Sequence, residues 1–248
     1  MARVVIPLPD RDFDTTEVSV PWKLLTSAGH DVIFATETGA KPACDPLLLT
    51  GVVFGKLGAD PEPRAFYAEL EQAPAFARPT PWRDIDVDSA DAMILPGGHA
   101  KGMRQYLEGR DLFEKVALFA RTGKPLAAIC HGVLVLARAK DPATGKSPLA
   151  ARRTTCLPKY MERSAWLSTA WRRGRYYRTY DAYVEDEVKT ALDDPDKQFE
   201  RGPRVLFARG TMDDDAPAFV VEDDNYVSAR WPGDAYLFAR RILAKLGP

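Results

Sequence analysis

Short unbroken apolar runs alternate along this chain with stretches whose apolar residues recur every three or four positions. RVVIPL (Arg3 to Leu8), DVIFAT (Asp31 to Thr36), DAMILPGGH (Asp91 to His99, ending in a glycine turn) and LAAI (Leu126 to Ile129) read as buried strands. TTEVSVPWKLLTSAG, Lys101 to Leu107 and Asp111 to Arg121 read as helices. Thr15 or Thr16 is the expected cap of the first helix and Gly29 its end. Pro21 costs a hydrogen bond unless it lies in the first turn, which puts the expected start near Val18. The fifty residues after Thr36 are rich in Pro and Gly, hold one helical piece at about Arg64 to Gln72, and form an excursion over one edge.

Further along, RTTCL (Arg153 to Leu157) and RVLFAR (Arg204 to Arg209) read as strands. AFVVEDDNYVSAR reads as a hairpin turning at Asp223–Asp224, and PGDAYLFARRILAKL as the closing helix. This alternation predicts an α/β fold, one mainly parallel sheet with helices on both faces, in a single domain over residues 1–248. Residues 152–202 are helical, aromatic-rich and locally basic, and read as a cap inserted in that domain. Trp166, Trp171, Tyr176 and Tyr177 are its candidates to stand over a site mouth, since aromatic walls suit a small, dry pocket.

Composition narrows the function classes. With 34 Lys plus Arg against 35 Asp plus Glu there is no charge excess to attract nucleic acid or a membrane surface. No apolar run approaches the ~20 residues of a membrane span, and MARVVIPLPD carries no signal-peptide core, so the expected location is cytoplasmic. Cys44, Cys130 and Cys156 lie at wide, odd spacing, against both a disulfide framework and a zinc cluster; no metal or cofactor is expected. Cys44 and Cys156 read as structural, His30 as a capping residue, and Asp213 to Asp215 as a loop.

The chemistry concentrates in PLAAICHGVLVLA, where strand periodicity gives way to helical spacing at Cys130. A nucleophile on such a sharp turn has the elbow geometry of hydrolases, and predicts a strained Cys130 with its sulfur in a cleft at the carboxyl edge of the sheet. The helix start favours an anion, so the thiol is expected to shift toward thiolate. The N–H groups of Gly98 and His131 form a candidate oxyanion hole, with Gly97 shaping the turn. Glu17, at a helix start on the same edge, is placed to hold or exchange a proton with the thiol.

TTEV, PGGHAKGM and AAICHGVLVLA together resemble the ThiJ/PfpI superfamily, cysteine-dependent relatives of class I glutamine amidotransferases. The PGGH and CHG forms look closest to the larger branch with the protein deglycases and the heat-shock chaperone/glyoxalase III proteins. The resemblance implies a flavodoxin-like three-layer sandwich and a homodimer, with Cys130 as nucleophile, His131 as its neighbour and Glu17 against the thiol. It also implies a triad acid after the next strand. Glu162 falls at about that place and is the candidate to orient His131, although Lys159 occupies another position where an acid is expected and Glu162 also fits a solvated first-turn residue. Glutaminase chemistry is excluded by the residues: the only histidines are His30, His99 and His131, so none follows the elbow.

The leading function is a cofactor-free enzyme that adds Cys130 to a small reactive carbonyl such as a 2-oxoaldehyde and releases a 2-hydroxy acid. The alternatives are a cysteine hydrolase of peptide or amide bonds, because a thiolate and oxyanion hole serve acyl transfer equally, and a chaperone or redox sensor in which Cys130 oxidises.

Overall fold

The computed structural model describes residues 1–205 and 207–247. A seven-stranded sheet forms its centre, from β1 (Arg3–Pro7), β2 (Asp31–Thr36), β3 (Thr80–Pro81), β4 (Ala92–Leu95), β5 (Leu126–Ile129), β6 (Val220–Asp223) and β7 (Tyr226–Ala229). The spatial order is β3-β2-β1-β4-β5-β7-β6, parallel throughout except that β6 runs against β7. Its five inner strands follow the flavodoxin-like order, in which the connections reverse direction between β1 and β4, and ligands bind in such folds at that reversal. A two-stranded parallel ribbon, Arg11–Phe13 with Ala43–Cys44, stands outside the sheet.

The helices are α1 (Thr15–Ser27), α2 (Pro61–Leu70), α3 (Arg110–Ala120), α4 (Val133–Arg138), α5 (Lys159–Arg173), α6 (Val184–Thr190) and α7 (Ala235–Leu246), with shorter turns between. The chain moves one way from β1 to β2 and the other way from β4 to β5. Right-handed crossovers therefore put α1 and α3 on opposite faces. α2 and α7 pack on α1, while α4 packs on α3 and α6 on α4. Strands covered on both sides become continuous apolar runs: every residue of β4 and β5 is buried.

Several expectations are corrected. α1 starts at Thr15 and not near Val18, because Asp14, rather than Thr15 or Thr16, caps it and outweighs the bond lost at Pro21. RTTCL is no strand; its contact with strand geometry is one bridge between Thr154 and Phe199, and the Thr155 N–H goes instead to the Ser228 hydroxyl. Arg204, Val205 and residues 207–209 form no strand, and Leu206 in that stretch lies outside the described residues. The hairpin turns one residue later than expected, at Asp224 and Asn225, where Asp224 takes the positive φ of 53° that such a tight turn requires. The helical reading of residues 159–192 breaks at Gly174, whose φ is 58°, and Arg175 to Tyr183 cross as irregular chain. His30 caps no helix: its Nδ1 accepts the Ala2 N–H, pinning the entry to β1.

The turn after β5 presses directly on the end of β4. A Cβ at Gly132 would lie 2.0 Å from the Leu95 carbonyl oxygen and 2.6 Å from that of Pro96, both backbone atoms with no freedom to retreat. Gly132→Ala is expected to lower unfolding free energy by about 3 kcal/mol, the upper range for overpacking a tight site. Urea denaturation checks this, and an unchanged midpoint would contradict the close approach.

Candidate active site

Three chain turns meet at the carboxyl edge where the sheet order reverses. The first is the start of α1, where Asp14 Oδ1 accepts the N–H groups of Thr16 at 2.8 Å and Glu17 at 3.1 Å. The second is the Pro96–Gly97–Gly98 turn that follows β4. The two are tied reciprocally: the Asp14 N–H donates to the Gly97 carbonyl at 2.8 Å, and the Gly97 N–H donates to Glu17 Oε2 at 2.7 Å. The third is Cys130, at the end of β5, with φ of 58°. That left-handed backbone costs a non-glycine residue about 1–2 kcal/mol, and it turns the chain at once from strand into helix, the strained elbow that the change of periodicity predicts.

Gly97 is where these turns touch. A Cβ there would fall 2.7 Å from the His131 nitrogen and 3.0 Å from both Cys130 Cβ and Glu17 Oε2. A Cβ on Gly98 would instead meet the Asp12 carbonyl oxygen at 2.7 Å and the Asp14 nitrogen at 3.0 Å. Cys130 Sγ lies 3.6 Å from His131 Nδ1. Glu17 Oε1, the oxygen not used by Gly97, is buried and has no hydrogen-bond partner, while the carboxyl as a whole interacts with the Cys130 thiol.

The electrostatics differ from the sequence expectation of a thiolate. Glu17, Cys130 and His131 are each at most 1% exposed. Burial pushes the Glu17 carboxyl well above its ordinary range, and the nearby Asp14 charge pushes it further. Burial likewise raises the Cys130 thiol, with Glu17 adding to it, and these outweigh the His131 backbone N–H that favours the thiolate. Burial drives His131 well below its ordinary value, helped by His99, Arg138 and Arg178. Burial thus favours a neutral carboxyl, a neutral thiol and a neutral imidazole, with desolvation the largest cause for each. With Oε2 accepting from Gly97, the Glu17 proton belongs on Oε1.

His131 is oriented by Thr179. The Thr179 hydroxyl donates to the His99 carbonyl at 2.7 Å, so its oxygen remains as acceptor for His131 Nε2–H, at a long 3.4 Å. That assignment leaves Nδ1 unprotonated and facing Sγ. Glu162, the expected orienting acid, does not reach His131. It is buried in an ion pair with Arg178 at 2.7 Å and accepts the Val184 N–H at 2.9 Å. A buried carboxylate takes the nearest guanidinium, and the result fixes the chain one residue before Thr179.

The sulfur is sealed rather than open in a cleft. The His99 ring packs on His131 with centroids 4.7 Å apart, and Tyr177 packs on His99 at 6.2 Å. Tyr176 and Tyr177 donate their hydroxyls to the buried Asp45 carboxylate at 3.1 and 2.8 Å. Trp166 and Trp171 do not join them: Trp166 donates to the Gly174 carbonyl, and Trp171 is 66% exposed and lies beside Phe54. Two cavities, one lined by His30 and Leu243 and one by Met1 and Asp91, open at the opposite edge and do not serve Cys130. Among the described residues no helix is long and apolar enough to cross a membrane.

The model of a family described as ThiJ/PfpI family-like matches residues 8–203, which include the elbow, the glycine turn and Glu17. The chain belongs to the ThiJ/PfpI-like family. A deglycase of Pyrococcus abyssi is 25% identical over 248 residues, covering 98% of this chain and 99% of that protein. The deglycase PfpI of Pyrococcus furiosus is 23% identical over 246 residues, with 98% of each chain covered. The crystal structure of glyoxalase III from Candida albicans shares the fold at a TM-score of 0.70 and 18% identity, over 98% of this chain and 97% of that one.

Sequence reasoning passed over His99, Asp14 and Thr179 in this ThiJ/PfpI-like site. His99 stood in the quoted PGGH as a turn residue only. Asp14 has the residue type and position of a helix cap and was legible on that rule. Thr179 carries no local signal, since it reaches the site from an irregular segment.

Asp14 gives the site a pH signature. Burial raises its carboxyl from 3.8 to about 6, against the opposing pull of its backbone hydrogen bonds and Arg209. Because the folded value stands above the unfolded one, the native state binds the extra proton, and this contribution is lost as pH rises from about 4 to about 6. Its size is about 3 kcal/mol. Asp14→Asn keeps the cap and removes the titration. Unfolding free energies measured from pH 4 to 7 should fall more steeply in the wild type, and parallel profiles would contradict the assignment.

Proposed function

We propose that this protein is a thiol-dependent enzyme acting on a small reactive carbonyl, a 2-oxoaldehyde that it converts to a 2-hydroxy acid. The observation that carries the reading is the strained Cys130 elbow, with Sγ 3.6 Å from His131 Nδ1 and the Glu17 carboxyl held beside it by the Gly97 N–H, where burial favours the neutral form of each group. Addition of a thiol to an aldehyde consumes no charge: one S–H and one C=O become a hemithioacetal. A buried site suits that step better than amide hydrolysis, which must also protonate a leaving amine. The deglycase relatives and the glyoxalase III neighbour support the same reading.

In this mechanism Cys130 Sγ attacks the aldehyde carbon as its proton passes to His131 Nδ1, and Glu17 Oε1–H donates to the carbonyl oxygen. The N–H groups of His131 and Gly98 hold that oxygen in the transition state. The proton on the former aldehyde carbon then moves to the adjacent carbon, and the hemithioacetal hydroxyl proton to the former ketone oxygen, both through Glu17 and His131, which leaves a thioester of the 2-hydroxy acid. Water cleaves the thioester and returns the proton to sulfur. Each proton transfer falls to a side chain, so the reading needs no cofactor. Residues 152–202 act as the cap, with Tyr177 packed on His99 and Thr179 on His131, and the partly exposed His99 is the side from which a substrate reaches Cys130.

The experiment is incubation with methylglyoxal, with the acid product resolved by chromatography. Cys130→Ser should reduce turnover at least a thousandfold. Glu17→Gln should reduce it by about 10²–10⁴, the usual weight of a proton-transferring side chain. Release of an amine from acyl or peptide substrates with no 2-hydroxy acid formed would replace this reading by the hydrolase. Turnover that survives in Cys130→Ser would remove the thiol from the mechanism.

A further inference from the structure

The same fold that builds the thiol site assembles three metal-ligating side chains from the turns after two different strands, His99 after β4 and the adjacent pair Cys130 and His131 after β5. Cys130 Sγ and one ring nitrogen each from His99 and His131 lie within 4.8 Å of one another. The Sγ–Nδ1 separation of 3.6 Å is close to the roughly 3.5 Å between a sulfur and a nitrogen that share one tetrahedral zinc ion. We propose that His99, Cys130 and His131 bind a zinc ion that masks the nucleophile reversibly.

Two further observations point to a ligand there. His99 Nδ1 is buried and has no hydrogen-bond partner, an expense that a native fold rarely bears without a use for the atom. His131 Nε2 is anchored on the Thr179 hydroxyl, which in turn is held by the His99 carbonyl. A metal-ligating histidine is usually fixed in this way through its other nitrogen. The donor set of two imidazoles and one thiolate selects zinc over magnesium or calcium, which prefer oxygen. Three protein ligands leave the fourth position for water or a small anion.

Ligation releases the Sγ proton to solvent, forms the zinc–sulfur bond and occupies the lone pair that the carbonyl addition uses. No electron is transferred. His99 is the partly exposed member and forms the entry side, while Cys130 and His131 sit beneath it. The wide cysteine spacing spoke against a zinc cluster because the ligands come from the ends of two different strands, β4 and β5, that only the sheet brings together. The zinc binding rests on no part of the carbonyl reading, whereas the masking of a nucleophile rests on that reading.

The test adds zinc to the apo protein in competition with a chromogenic chelator, and cobalt(II) as a spectroscopic probe, both without substrate. One zinc per chain is expected, together with tetrahedral visible bands and a thiolate-to-cobalt charge-transfer band. Cys130→Ser should abolish that band, and His99→Ala should weaken zinc binding at least tenfold, with circular dichroism confirming that both variants fold. Thr179→Val, which leaves all three ligands in place, should weaken binding by a smaller factor. A charge-transfer band that persists in Cys130→Ser, equal zinc affinity in His99→Ala, or no binding at micromolar zinc would each overturn the proposal. Because the spectra need no turnover, a silent methylglyoxal assay leaves this result intact, and the converse also holds.

Discussion

The hydrogen bond from the Gly97 N–H to Glu17 Oε2 is the constraint on which the site depends. It joins the turn after β4 to the start of α1, and the Asp14 N–H on the Gly97 carbonyl closes the same pair of segments from the other side. Together they hold a carboxyl against the thiol in a fully buried place, where burial disfavours its charge. They also decide which oxygen carries the proton. Only a glycine permits this approach, since a side chain at position 97 would strike His131, Cys130 and Glu17 at once. The strain of the Cys130 backbone is sustained because β5, Gly132 and the end of β4 leave it no alternative path.

Around that centre two buried carboxylates serve position rather than chemistry. Asp45 holds Tyr176 and Tyr177, and so sets the ring that packs on His99. Glu162 holds Arg178, beside the threonine that orients His131. Both act on the irregular stretch between α5 and α6, which has no ladder of its own to fix it. Removing one partner of a buried pair such as Glu162–Arg178 leaves an uncompensated charge, at a cost of about 3–5 kcal/mol. The polar groups of this segment therefore do for a loop what backbone pairing does for the strands.

The legible parts of the sequence were those governed by local rules. Continuous apolar runs marked β1, β2, β4 and β5, and the change of period at Cys130 marked the elbow, because both depend on residues next to one another. The start of α1 was misplaced by weighing Pro21 over a cap that lay one residue earlier, at Asp14. The protonation of the thiol departs from the sequence expectation because dipole and burial oppose each other, and burial is not visible in a motif. Position along the chain pairs Glu162 with His131, whereas Arg178, sixteen residues away, takes it in space. Trp171 falls nine residues after the buried Glu162, half a turn out of phase with it, and so faces solvent on α5.

The account stands on a neutral Glu17 beside Cys130. The most direct measurement is infrared difference spectroscopy of the resting protein at neutral pH, comparing the wild type with Glu17→Gln. The account predicts a carbonyl stretch of a protonated, buried carboxyl in the wild type that disappears in Glu17→Gln. An ionised carboxylate lost from the difference spectrum instead, with no protonated band assigned to Glu17, would contradict it.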